Sequence, residues 1–205
     1  MKPILILFIL SALIGCSEPS GEALPQLGID AKQTSASGLS AGAYMTGQLQ
    51  VAHSNEMIGA ALVAGGPYGC AETGSGVLPA AARNVTRALE GCMADKLRSE
   101  GIPNVSELTE RAKALANDEK IDPLKGLAHD KVYLFSGGAD QIVAPSVVQA
   151  AKEFYIRAEV AEKNIKFDTR KDAGHAFLTT NSGTSCGTSA APFVSDCDYD
   201  QREPF

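Results

Sequence analysis

The sequence predicts an α/β fold, a parallel sheet with helices packed against it, and three observations carry that expectation. The segment Ser37-Gly38-Leu39-Ser40-Ala41-Gly42-Ala43-Tyr44-Met45 places a Gly38-x-Ser40-x-Gly42 motif between a strand-like and a helix-like stretch. Two further runs, Met57-Ile-Gly-Ala-Ala-Leu-Val-Ala64 and Lys131-Val-Tyr-Leu-Phe-Ser136, are short, apolar and closed by glycines, as strands buried on both faces are. Between and after them lie stretches whose apolar residues recur at helical spacing.

Residues 1–15 have the form of an export leader. Met1-Lys2 is a short positive start, and Ile4 to Ile14 is an apolar run too short for a comfortable membrane span. Its end, Leu13-Ile14-Gly15-Cys16-Ser17, resembles the bacterial lipobox, in which the cysteine is lipidated and becomes the mature N-terminus. That likeness implies an outer-membrane lipid anchor through Cys16, since serine rather than aspartate follows it, and a periplasmic or cell-surface location; a plain secretory leader is the alternative. Residues 16–30, rich in Ser, Glu, Pro, Gly and Ala, form a flexible tether. Residues 31–205 are left for one domain with a sizeable core.

That domain starts with the motif. Gln33 to Ser37 is a short strand, Ala43 to His53 a helix with Tyr44, Leu49 and Val51 toward the sheet, and Met57 to Ala64 the next strand, closed by Gly65-Gly66-Pro67. Strand, turn, helix, strand is the context of a nucleophile elbow, whose flanking glycines let two backbones pass closely while the serine sits outward on a strained bend. Ser40 is therefore the candidate nucleophile, against the rival reading of an ordinary Gly/Ser turn. Two helical patterns follow, Asn84 to Arg98 and one from Asn104, with Glu107 placed for a capping box, to Asn117; they form a cap or side layer. Asn84-Val85-Thr86 matches a glycosylation acceptor, which has no meaning in a bacterial lipoprotein.

The Lys131–Ser136 strand runs into Gly137-Gly138-Ala139-Asp140, and an acid beyond the carboxyl end of a parallel strand is where such sheets display functional groups. Asp140 is the candidate orienting acid, with a turn-capping aspartate as the alternative. Ser146 to Lys163 is a helix and Asn164 to Arg170 an alternating strand that leads into Ala173-Gly174-His175-Ala176-Phe177. His175 completes the order Ser, Asp, His of an α/β-hydrolase triad. His53 and His129 fit structural roles better. Residues 179–205 form a Ser/Thr/Gly/Asn-rich loop held by a bridge.

Apart from Cys16 there are Cys70, Cys92, Cys186 and Cys197, an even set that in an exported chain implies two disulfides. Three pairings are possible, and proximity favours Cys70 with Cys92 and Cys186 with Cys197. No metal-ligand spacing occurs and no cofactor is implied. With 18 basic against 24 acidic residues, a net charge of −6, the chain has no basic stripe for nucleic acid.

The chemistry of such a triad is acyl transfer: His175 takes the Ser40 proton, Asp140 fixes the imidazole, and the backbone N–H of Ala41 is one oxyanion donor. The blocks Gly38-Leu-Ser-Ala-Gly-Ala-Tyr-Met45, Val63-Ala-Gly-Gly-Pro-Tyr-Gly-Cys70, Ile121-Asp-Pro-Leu124, Val132 to Asp140, Ala173-Gly-His-Ala-Phe177 and Cys197-Asp-Tyr-Asp200, taken in order, resemble the poly(3-hydroxybutyrate) depolymerases with a type-two, circularly permuted catalytic domain. The resemblance covers about Ser37 to Gln201. It implies an α/β-hydrolase-like fold with a permuted, incomplete parallel sheet and flanking helices, the triad Ser40, Asp140 and His175, and a short-chain polyhydroxyalkanoate or its oligomers as substrate. In that family the strands that usually precede the nucleophile come after the histidine, with a His-Gly-Cys segment that contributes to the oxyanion hole. No such segment occurs here up to Phe205, so the expectation is a catalytic domain truncated at its C-terminus. The alternatives are a general carboxylesterase acting on small or feruloyl-type esters, and a non-catalytic truncated lipoprotein.

Overall fold

The structure, a computed structural model, describes residues 25, 27–72, 79–93, 104–181 and 184–201. The leader, Cys16, most of the tether and the last four residues lie outside the described residues. Four parallel strands form the main sheet in the order β1 (Thr34–Leu39), β2 (Met57–Val63), β3 (Lys131–Gly137) and β4 (Ile165–Arg170). Leu39, Val63, Phe135 and Asp168 lie in register across it, so the carboxyl ends of all four strands share one rim.

Alternation along β3 divides the core in two. Val132 and Leu134 point to a face covered by α1 (Ala41–Ala52), α3 (Val105–Asn117) and α4 (Pro145–Arg157), where Val51, Leu108, Val148 and Phe154 pack. Tyr133 and Phe135 point to the other face, covered by Ala173, Leu178 and the chain beyond them. Burial on both sides explains why β3 is a continuous apolar run. The second face is closed by the tail, through a small parallel pair, β5 (Phe177–Thr179) and β6 (Val194–Asp196), that its mixed composition did not announce.

Helix α1 differs from expectation in the face it buries. Ala43, Thr46, Gly47, Gln50 and Val51 are inside, whereas Leu49 is 45% and Met45 66% exposed. The helix lies so close to the sheet that a Cβ on Gly47 would stand 3.2 Å from Leu62, which leaves room only for small or slender side chains there. Helix α2 (Ala80–Gly91) starts earlier and ends sooner than Asn84 to Arg98, and Val85 and Leu89 face solvent. Residues 94–98, the expected end of that helix, lie outside the described residues.

The capping box of α3 is present in altered form: Asn104 accepts from the Glu107 N–H at 3.3 Å, while its side-chain amide donates to the Glu107 carboxylate at 2.9 Å. Helix α4 stops at Arg157, short of Lys163. Glu159 adopts φ +70°, its N–H donates to the Ile156 carbonyl and the Val160 N–H donates to Tyr155, a Schellman ending with glutamate where glycine is usual. Glu119, at φ +58°, ends α3 the same way.

Candidate active site

Ser40 sits between β1 and α1 with φ 57° and ψ −122°, a costly conformation for any residue but glycine. Its N–H donates to the Val63 carbonyl at 3.0 Å and its carbonyl accepts from Tyr44, so sheet and helix hold the bend from both sides. Gly38 is required there, because a Cβ would overlap the carbonyl of Gly42. Gly42 itself faces open space, so of the two motif glycines only Gly38 makes the close approach. Ala41 is the first residue of α1, where amides lack intrahelical acceptors.

Asp140 and His175 are brought together. The His175 Nδ1 lies 2.7 Å from Asp140 Oδ2, and both side chains are almost fully buried. The other carboxylate oxygen accepts the Ile142 and Val143 N–H groups at 2.8 and 2.9 Å. The acid is thereby fixed by three bonds. Main-chain bonds bind the two loops that carry the pair: Gly138 donates to Arg170 at 2.7 Å and Ala139 to Ala173 at 2.9 Å. Gly137 must be glycine, because a Cβ would overlap the Ala173 carbonyl. With Nδ1–H given to the carboxylate, the neutral ring keeps its lone pair on Nε2.

Among the described residues, the His175 ring is hydrogen-bonded to Asp140, and no hydrogen bond joins it to the Ser40 hydroxyl. Ser40 and the acid's loop nonetheless share one cleft of about 480 Å³, whose lining includes Ser40, Ala41, Tyr44, Cys92 and Val143. The lining is mostly apolar. Tyr44, one helical turn after Ser40, donates its hydroxyl to the Cys92 carbonyl. Burial first, and the Asp140 charge second, push its phenol above the usual range.

The disulfides are Cys70–Cys92, which braces the cleft wall, and Cys186–Cys197 in the tail, where the Cys186 carbonyl accepts the N–H of Gly174, the residue before His175. The tail touches His175 directly: its N–H donates to Ser189 Oγ at 2.9 Å, and the Phe193 ring stands perpendicular to the imidazole at 6.3 Å. Sequence reasoning found neither Ser189 nor Phe193, because both lie in a stretch whose composition shows only a loop. Tyr44 had a signal, its i+4 spacing from Ser40. His53 lies at the exposed end of α1, and His129 ends a short 3₁₀ turn before β3. No group of His, Cys, Asp and Glu suited to a metal occurs among the described residues.

No family model matches the chain. It is 40% identical over 178 residues to a poly(3-hydroxybutyrate) depolymerase of Delftia acidovorans, covering 86% of this chain and 33% of the relative. It is 30% identical over 191 residues to a polyhydroxybutyrate depolymerase of Talaromyces funiculosus, covering 91% of this chain and 50% of the relative. Among solved structures it resembles a serine-to-alanine variant of a PHB depolymerase complexed with an R3HB trimer, with TM-score 0.71, 28% identity and coverage of 87% of this chain and 51% of that one. The PHB depolymerase of Penicillium funiculosum matches with TM-score 0.70 at the same identity and coverage. The chain thus spans a third to a half of the length of these proteins. Over the part that it shares with them, in sequence and in fold, the chain is similar to poly(3-hydroxybutyrate) depolymerases.

Proposed function

We propose that this chain carries the catalytic machinery of a serine esterase that hydrolyses the ester bonds of poly(3-hydroxybutyrate) or its oligomers. The observation that carries the reading is the buried Asp140–His175 pair at 2.7 Å, on the sheet rim where β1 ends in the strained Ser40. Ser40 Oγ attacks the ester carbonyl while His175 Nε2 takes its proton. The imidazolium is stabilised by Asp140, and the negative oxygen by the Ala41 N–H. Collapse expels the alcohol, which receives the proton from His175, and leaves an acyl group on Ser40. Water, deprotonated by His175, then releases the hydroxy acid and restores the serine. The apolar cleft suits an aliphatic polyester better than a charged substrate.

The two disulfides fit an exported protein. The finer placement, an outer-membrane lipoprotein anchored through Cys16, is part of the same proposal and rests on the lipobox-like residues. Substrate class is tested by comparing kcat/KM of the purified chain on 3-hydroxybutyrate oligomers, polymer granules and short nitrophenyl esters. Preference for the hydroxybutyrate substrates, abolished in His175→Ala, is the expected result. Activity confined to nitrophenyl esters would make this a general carboxylesterase, and granule binding without hydrolysis a non-catalytic lipoprotein.

A further inference from the structure

Among the described residues, six other than glycine hold a positive φ. Glu119 and Glu159 end helices, and Ser40 is the elbow. Phe193, at φ +59°, is a different case: the left-handed region is a true outlier for a bulky aromatic, and such strain persists where the surroundings impose it for a purpose. Its N–H donates to the Ala190 carbonyl at 2.8 Å and its own carbonyl accepts from Phe177 at 2.9 Å. Burial does not explain it. The side chain is 37% exposed and belongs to neither core cluster. What the conformation achieves is the perpendicular contact with the His175 ring.

The segment that carries Phe193 is bound to the histidine loop at several other points. Ser189 Oγ accepts the His175 N–H, Gly174 donates to the Cys186 carbonyl at 2.9 Å, and the Cys186–Cys197 bridge encloses the whole stretch. An imidazole held by one side-chain bond, through Nδ1, can still tilt about that bond. A ring packed perpendicular to it removes the tilt and keeps water from that side of the pair.

We propose that Phe193 is a positioning residue for His175, holding the imidazole plane so that Nε2 stays aimed at the serine hydroxyl. The proposal rests on the reading of His175 as the base of an esterase. Its test compares wild type with Phe193→Ala, Phe193→Leu and Phe193→Tyr by steady-state kinetics on a 3-hydroxybutyrate oligomer, and by proton NMR of the Nδ1–H between His175 and Asp140. Because misplacement of a reacting group alone can cost as much as 10²-fold, kcat of Phe193→Ala should fall ~10- to 100-fold with KM nearly unchanged. Phe193→Leu, which keeps apolar volume without a flat ring, should lose activity in the same way, and Phe193→Tyr should recover it. The Nδ1–H signal should be sharp and slow to exchange in wild type and Phe193→Tyr, and broadened in the other two. A Phe193→Ala protein that melts like wild type, keeps its kcat and retains the protected proton would overturn the proposal. Failure of the esterase reading shows differently, as a wild type without hydrolysis; the NMR comparison then decides the positioning role by itself.

Discussion

The Tyr44 hydroxyl donates to the main-chain carbonyl of Cys92, so the helix headed by Ser40 is stitched to the end of α2 across the cleft wall. Cys92 is in turn bridged to Cys70, beyond β2. Phenylalanine at position 44 would keep the ring and leave the carbonyl without its partner. Tyr44→Phe should cost about 1–2 kcal/mol, which for a chain of this size lowers the melting temperature by ~2–8 °C. Calorimetry checks it, and an unchanged melting temperature would show that the stitch contributes nothing.

Asp140→Asn separates orientation from folding. Asparagine can still accept the Ile142 and Val143 amides through its oxygen, so the turn survives. Its NH₂, however, meets His175 Nδ1 as a donor, which moves the ring proton to Nε2 and removes the lone pair that should accept the serine proton. The expected result is a loss of kcat on the order of 10⁴-fold with little change in melting temperature.

The motif glycines should respond in opposite directions. Gly38→Ala forces a Cβ into the Gly42 carbonyl, and overpacking against backbone should destabilise by about 3 kcal/mol or more. Gly42→Ala places a methyl in open space within the first turn of α1, at a residue with no positive φ. It should stabilise by ~0.5–1 kcal/mol. Urea midpoints of the two variants decide the matter, and equal destabilisation of both would contradict the close-approach account.

Asp130 is buried, and burial raises its carboxyl above the usual range against the opposing effects of the Gln50 hydrogen bond, at 2.9 Å, and His129. Nearby, Gln50 Oε1 and the Tyr155 hydroxyl are buried without partners. A folded-state value above the unfolded one means the folded protein holds this proton more tightly. The contribution to stability is therefore fully present at acid pH, below the unfolded value near 4, and is lost as pH rises through the raised folded value. Asp130→Asn, which carries no charge to desolvate, should gain stability over wild type as pH increases from 4 to 7. A constant difference across that range would show that the carboxyl is not perturbed.

Much of this arrangement was legible because local chemistry and tertiary role coincide. The Gly38 approach, the apolar run of β3 and the order Ser40, Asp140, His175 each leave a mark on the sequence. Where the two diverge, the sequence is silent or misleading. Glu159 ends α4 in a conformation that normally calls for glycine, so the helix pattern reads on to Lys163. Leu49 belongs to an apolar periodicity but is turned outward because Gly47 brings α1 too near the sheet. The clamp on the histidine depends on Ser189 and Phe193, whose importance comes from a disulfide-closed path through space that no local pattern encodes.

An activated Ser40 served by His175 should react with a fluorophosphonate, and mass spectrometry of the purified chain locates the adduct. The adduct should form on Ser40, and the reaction should slow sharply in His175→Ala and vanish in Ser40→Ala. A folded chain that stays unlabelled, or that is labelled equally well without the Ser40 hydroxyl, would contradict that activation.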